Sequence, residues 1–149
     1  MKWISIPKIE EGTVNEDAVN VFGNLVALSD GAGGGGVFAD LWSKYLVGQI
    51  TAEPISDFRS FDQWISDIWE AFYNECETKA KHEGGMLLNK FYDEGSCATF
   101  VAVWKISDSC CQWIAYGDSV AFHYNFHTKK LEYSYCSLAD FDKPPYLIN

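Results

Sequence analysis

The sequence predicts an α+β fold in which helices are segregated from strands rather than alternating with them. Three observations carry that expectation. Residues 18–29 form an apolar run broken at Gly23-Asn24, a pair suited to a tight hairpin turn. Residues 38–50 and 60–83 place apolar side chains at helical spacing. From residue 97 onward the chain is dense in β-branched and aromatic residues, interrupted by short turn signals.

Taken in order, residues 2–6 alternate, with Trp3 and Ser5 against Ile4 and Ile6, and read as a first strand. The run at 18–29 follows as a hairpin and ends at Asp30-Gly31. Phe38, Leu41, Trp42, Tyr45, Leu46 and Ile50 then mark a helix that Pro54 stops. A longer helix opens at Ser60 as N-cap. It carries Trp64, Ile65, Ile68, Trp69, Phe72, Tyr73 and Cys76 on one apolar stripe and ends at Gly84-Gly85. Strands follow at 97–106, 110–118, 120–125 and 130–136. Turns at Asp108-Ser109, Gly117-Asp118 and His127-Thr128 make them an antiparallel meander.

A chain of 149 residues is expected to form one domain, residues 1–149, with 48% hydrophobic and 16% aromatic residues to build its core. The formal net charge of -10 argues against nucleic acid or an anionic membrane as partner, because both require positive charge near phosphate. Abundant carboxylates suit hard cations. The five cysteines (76, 97, 110, 111 and 136) form no C-x-x-C pair, which excludes zinc-knuckle and thioredoxin readings. The segment "MKWISIPKIEEG" has no secretory apolar core, and no run of about 18 apolar residues follows. A reducing cytoplasm is the expected location.

Residues 31–36, "GAGGGG", match the G-x-G-x-x-G dinucleotide fingerprint. Three features oppose that reading. Asp30 would face the pyrophosphate with like charge. The acid due about 20 residues on is Glu53, at a helix end beside Pro54. No parallel strand follows that helix. A phosphate-binding P-loop fails too, since Val37-Phe38 replace the required Lys-Ser/Thr. The alternative takes Asp30 as the point: a carboxylate at a strand end, next to glycine backbone that leaves carbonyls open to a hard cation. Glu16-Asp17 and Asp118 are further acids at turns, and antiparallel pairing can bring Glu16-Asp17 to the same sheet end as Asp30. His82, His123 and His127 are scattered and fit no ligand spacing.

Four blocks occur in order: N-E-D-A at 15–18, V-A-L-S-D-G-A-G-G at 26–34, E-G-S-C-A-T-F-V-A-V at 94–103 and Y-G-D-S at 116–119. Together they resemble the metal-dependent protein phosphatase 2C family (PPM type). The resemblance implies an αββα sandwich, two antiparallel sheets face to face with helices outside. It implies metal ligation by Glu16, Asp17, the bridging carboxylate of Asp30 and the carbonyl of Gly31, with Asp118 at a further, weaker site. Two Mn²⁺ or Mg²⁺ ions would then activate water for in-line attack on a phosphoserine or phosphothreonine ester, with no covalent enzyme intermediate. Partners would be a phosphoprotein substrate or a regulatory protein. Ser96 and Cys97 match a close-packed lead-in to a strand, not a nucleophile.

The chain departs from the family pattern in two ways. The arginine that holds substrate phosphate is replaced by Gly12, with Lys8 the nearest basic residue, and the arginine after G-D-S is Val120. The family's later D-G and N-D blocks have no counterpart after Asp118, where the acids are Glu132, Asp140 and Asp142 in other contexts. The resemblance therefore covers the N-terminal part of the family domain. It leaves two functional readings: an active phosphatase, or a catalytically inactive phosphatase-like binding module. A sandwich short of strands leaves an open edge near residues 130–136, so a homodimer is expected.

Overall fold

The fold grows from a hairpin. In the computed structural model, which describes residue 4, residues 14–34 and residues 36–149, β1 (Asp17–Phe22) turns at Gly23-Asn24 into β2 (Leu25–Asp30). Gly23 takes φ +54°, a left-handed conformation that glycine adopts without Cβ strain. The predicted strand at 2–6, together with Lys8 and Gly12, lies outside the described residues apart from Ile4.

Three helices follow: α1 (Ala39–Gln49), α2 (Phe58–Glu83) and α3 (Gly85–Glu94). Strands β3 (Phe100–Lys105) and β4 (Cys111–Tyr116) then complete a four-stranded antiparallel sheet in the order β1-β2-β3-β4. β5 (Phe122–Asn125) and β6 (Lys130–Tyr133) pair only with each other among the described residues. The architecture is mixed α+β with antiparallel sheets. Among the described residues no helix is long and apolar enough to cross a membrane.

Three expectations change. The four late strands are not one meander, because residues after the Gly117-Asp118 turn are bonded elsewhere. The Ser119 hydroxyl meets Thr99 Oγ1 at 2.6 Å, and the Ala121 carbonyl accepts the Ser134 amide at 3.0 Å. The Gly84-Gly85 stop also starts a helix: Gly84 (φ +116°) ends α2 and precedes α3, whose single fully buried side chain, Phe91, gives little periodic signal. The N-cap of α2 is Asp57 rather than Ser60. Its carboxylate accepts the Ser60 amide at 2.8 Å, and that bond holds the Asp57 carboxyl below the usual range.

Strand alternation gives the main sheet two faces. The inner face carries Leu25, Ala27 and Ser29 of β2 with Phe100, Ala102 and Trp104 of β3, all at most 2% exposed. Register places Leu25 opposite Trp104 and Ala27 opposite Ala102, so large and small residues alternate beneath the helices. Trp42 and Leu46 of α1, and Phe61, Trp64 and Phe72 of α2, fill the space above. The buried indoles also tie down loops. Trp104 Nε1 donates to the Thr51 carbonyl at 3.0 Å, and Trp42 Nε1 to that of Ile148 at 3.0 Å. The outer face carries Asp17, Val19, Val21, Val26, Leu28 and Asp30 of the first hairpin. Val21 and Leu28 are 38% and 41% exposed there.

All five cysteines are free thiols. Cys76, 1% exposed, has its thiol pushed up to about 12, first by burial and then by Glu75. Because the thiolate is the reactive form, an aromatic disulfide reagent at mildly alkaline pH is expected to modify exposed Cys110 and Cys136 first. Cys76 should react only on unfolding. Mass spectrometry of the labelled peptides checks this, and early labelling of Cys76 would contradict the packing described.

Candidate metal centre

The acids converge because of hairpin register. A two-residue turn closes on the pair Phe22 and Leu25, a hydrogen-bonded pair, and the two pair types alternate from there. Five positions on, Asp17 faces Asp30 in a non-hydrogen-bonded pair, the geometry that brings facing side chains closest, with Cβ atoms about 4.5–5.5 Å apart. The next pair is hydrogen-bonded: the Gly31 amide donates to the Glu16 carbonyl at 3.1 Å. Both carboxylates thus lie on the outer face at one end of the sheet.

That end is fastened from the helix side. The fully buried Ser43 hydroxyl of α1 donates to the same Glu16 carbonyl at 2.5 Å. The Asn15 side chain accepts the Asp17 amide at 3.1 Å. On the other flank, Asp30 accepts the Thr99 amide through its own carbonyl at 2.9 Å, and the Ser29 hydroxyl donates to the Thr99 carbonyl at 2.7 Å. Asp30 is exposed, while Glu16 and Asp17 are half-buried.

The glycines behind Asp30 are demanded by close packing. A Cβ at Gly31 would lie 2.5 Å from the Ala39 carbonyl oxygen and 2.9 Å from that of Glu16. One at Gly36 would lie 2.7 Å from the Gly95 carbonyl oxygen. One at Gly33 would overlap the Glu16 carboxylate, so the Glu16 side chain lies over the loop. The loop amides of Ala32 and Val37 donate to the carbonyls of Cys97 and Gly95, both at 2.8 Å. The amides of Gly31, Ala32 and Val37 are thus engaged with protein carbonyls and turned away from a pyrophosphate, which counts against the dinucleotide reading.

Asp118 occupies the turn after β4 at the same end of the sheet and is exposed. Thr99 stands between it and Asp30, bonded to Asp30 through its amide and to Ser119 through its hydroxyl. Gly117, at φ +87°, closes on Thr99, since a Cβ there would come within 2.7 Å of Thr99 Cγ2. The structure therefore pairs Asp17 with Asp30 and brings the backbones of Glu16 and Gly31 together, while the Glu16 side chain lies over Gly33. It sets Asp118 one strand away. Among the described residues, no three histidine, cysteine or acidic side chains form a group that could hold a metal ion. Ser96 and Cys97 are buried in the lead-in to β3, and burial pushes the Cys97 thiol up, as expected of a structural thiol. His123 contacts Glu132 at 3.1 Å on β5-β6, in a different sheet from the acids. What sequence reading did not supply is the fastening by Ser43 and Thr99. Neither residue carries a local signal, because each acts on a segment distant in sequence.

The donors at Asp17 and Asp30 are oxygens only, the chemistry of a hard divalent cation such as Mn²⁺ or Mg²⁺. Magnesium in particular is held by one or two carboxylates with the remaining positions left to water and substrate. The residues fit that mode of binding.

No protein-family model matches the chain, and no curated protein matches it. Among solved structures it is similar to the serine/threonine phosphatase Stp1 from Staphylococcus aureus. The TM-score is 0.49 and the identity 18%, over 89% of this chain and 56% of that one. This chain thus spans little more than half the length of that phosphatase. An overlap of that quality assigns neither fold nor activity.

Like charges directly opposite on paired strands destabilise them. In a double-mutant cycle, Asp17→Asn and Asp30→Asn are therefore expected to couple by about 0.5 kcal/mol at neutral pH and low salt, each charge destabilising the other, with the coupling shrinking at high salt. Urea denaturation of the four proteins at two ionic strengths measures it. Zero coupling at both would show that the facing carboxylates do not repel.

Proposed function

We propose that this chain is a protein phosphatase 2C-like domain in which Asp17 and Asp30 hold Mn²⁺ or Mg²⁺ for phosphoester chemistry on a phosphoserine or phosphothreonine protein. The facing of Asp17 and Asp30 across a non-hydrogen-bonded pair carries the reading. The four sequence blocks in family order support it. The full αββα sandwich belongs to the same proposal: the exposed Val21 and Leu28 give the outer face the character of a surface built to be covered.

The cation, when bound, would supply charge stabilisation on phosphate oxygens and a more acidic water. The protein's part is placement. Asp17 and Asp30 fix the cation at a rigid strand end. Glu16 lies over the glycine loop against Gly33 and does not join the pair. Gly31, with no Cβ to press on the Ala39 carbonyl, lets the strand end sit close against α1. Ser43 and Thr99 hold the two strands in register. Asp118 would serve a further cation only if the turn after β4 moved toward Asp30.

A second reading is favoured by one observation, the lack of a third metal-suited side chain joining Asp17 and Asp30 among the described residues. It is a phosphatase-like module that binds a regulatory partner without turnover. A reducing cytoplasm is the proposed location, in keeping with five free thiols.

Titration calorimetry with Mn²⁺ is expected to show binding by the wild type and none by Asp30→Asn. Hydrolysis of p-nitrophenyl phosphate at about millimolar Mn²⁺ should be slow, in keeping with a partial donor set. Equal Mn²⁺ binding by both proteins would remove Asp30 from the site. Fast turnover that survives Asp30→Ala would remove the mechanism.

Self-association is part of the proposal. β5-β6 is a two-stranded sheet, and Leu131 and Tyr133 of its second strand are 49% and 44% exposed. Light scattering is expected to return about twice the 16.8 kDa chain mass. A monomer at high concentration would overturn this.

A further inference from the structure

The helix side of the molecule holds a second feature, unrelated to the acids. A cleft of about 460 Å³ opens between α2, α3 and the turn at Gly95-Ser96. Its walls are aromatic. Trp69 and Tyr73 meet edge to face, with ring centroids 5.9 Å apart and planes at 71°. Tyr73 in turn stacks obliquely on Phe91 at 5.1 Å. Tyr92 stands at the rim, its hydroxyl anchored to Glu77 at 2.7 Å. The apolar stripe of α2 placed Trp69 in the core, yet it is 47% exposed, and Tyr92 is 49% exposed. Two large aromatic side chains are thus held at the mouth of a cavity instead of closing it.

The polar groups select the occupant. Asp93 and Glu94 stand at the rim. Lys90 is paired with Glu94 at 3.5 Å, so Asp93 contributes uncancelled negative charge in a chain of net charge -10. Among the lining residues, Ser96 is 6% exposed. Its hydroxyl is the one buried side-chain polar atom among the described residues without a hydrogen-bond partner. A buried hydroxyl left unpaired costs stability that a ligand donor or acceptor would recover.

We infer that this cleft binds the guanidinium of an arginine side chain presented by a peptide or protein partner. Aromatic faces with a carboxylate rim attract a cation and repel an anion. A guanidinium is flat, weakly hydrated and rich in N–H donors, so it can lie on Trp69 or Tyr73 while donating to Ser96 Oγ and Asp93. A lysine ammonium is compact and strongly hydrated, and it gains less from a ring face. The cleft lies on the helix side of the main sheet and the Asp17–Asp30 pair on the other, so the inference stands independently of the proposed phosphatase chemistry.

The test is a nuclear magnetic resonance titration of the full chain, following the indole N–H signals, with N-acetyl-arginine methylamide. The citrulline analogue, a neutral isostere, and the lysine analogue serve as comparisons. The arginine probe is expected to shift the Trp69 signal saturably. The citrulline and lysine probes should bind about tenfold more weakly. Trp69→Ala and Asp93→Asn, both at exposed positions, should each weaken the arginine probe about fivefold at unchanged thermal midpoint. No saturable shift would overturn the inference. So would equal binding of citrulline, which would leave an uncharged apolar cleft, or equal binding of lysine, which would leave a cation site without guanidinium selectivity. If Trp69→Ala lowers the thermal midpoint, Asp93→Asn and the citrulline comparison decide alone.

Discussion

The register of the first hairpin governs the rest of the structure. Because the turn at Gly23-Asn24 pairs Phe22 with Leu25, every later pair is determined, and Asp17 must face Asp30. A slip of one residue would exchange the faces. Asp30 would turn toward Trp42 and Leu46, and Leu25 and Ala27 would turn to the outside. Burying a carboxylate in that core costs far more than the mutual repulsion of two acids at a strand end. The hydrophobic pattern of β2 therefore enforces the acid pair. The core selects the register, and the register delivers the carboxylates.

The glycine-rich loop follows from the same arrangement. After Asp30 the chain must leave the sheet and begin α1 within a few residues, passing between the Glu16 carbonyl and the first turn of α1. Gly31 fits that passage, where a Cβ would lie 2.5 Å from the Ala39 carbonyl oxygen. Gly36 then passes the Gly95 carbonyl, which receives the Val37 amide. The loop thus joins three chain segments, at 16, 39 and 95. Phe38 takes φ +56° at the mouth of α1, a strained conformation for a bulky residue, held by helix bonds from Leu41 and Trp42 to its carbonyl. A segment resembling a nucleotide cradle serves packing, with the amides of Gly31, Ala32 and Val37 bonded to protein.

Much of this was legible in sequence, for reasons that differ by element. The hairpin turn and α1 were legible because Gly23-Asn24 and the spacing from Phe38 to Ile50 are local signals. The pairing of β3 with β4 was legible because a short turn joins two β-rich runs. Three features were hidden. α3 follows α2 across two glycines and buries little, so periodicity could not separate a helix from a loop. The partners of β5 depend on Ser119 and Ser134 side chains, and hydroxyl bonding leaves no periodic trace. The exposure of Trp69 depends on how α3 crosses α2, which no single stripe encodes. At the candidate site, the residue types and their neighbours were legible, since strand ends are marked by acids and glycine. The fastening by Ser43 and Thr99 was not, because a serine on a helix and a threonine before a strand are unremarkable alone.

The two faces of the main sheet divide the work of the molecule. The inner face is filled by Trp104, Phe100 and the helices, with indole N–H groups bonded to the loop after α1 and to the chain end, so its geometry is stiff. The outer face holds the acids at one end and valines and leucine along its length, partly open to solvent. An acid pair at the margin of an apolar surface behaves differently from one on an open polar surface. Covering that surface would exclude water around Asp17 and Asp30, raise the cost of their mutual repulsion and strengthen their attraction for a cation. On the proposed metal-binding reading, coverage of the outer face and occupation of the acid pair would be coupled, since each would make the other more favourable. A second copy or other chain over Val21 and Leu28 would, on that reading, act on cation affinity without touching a carboxylate.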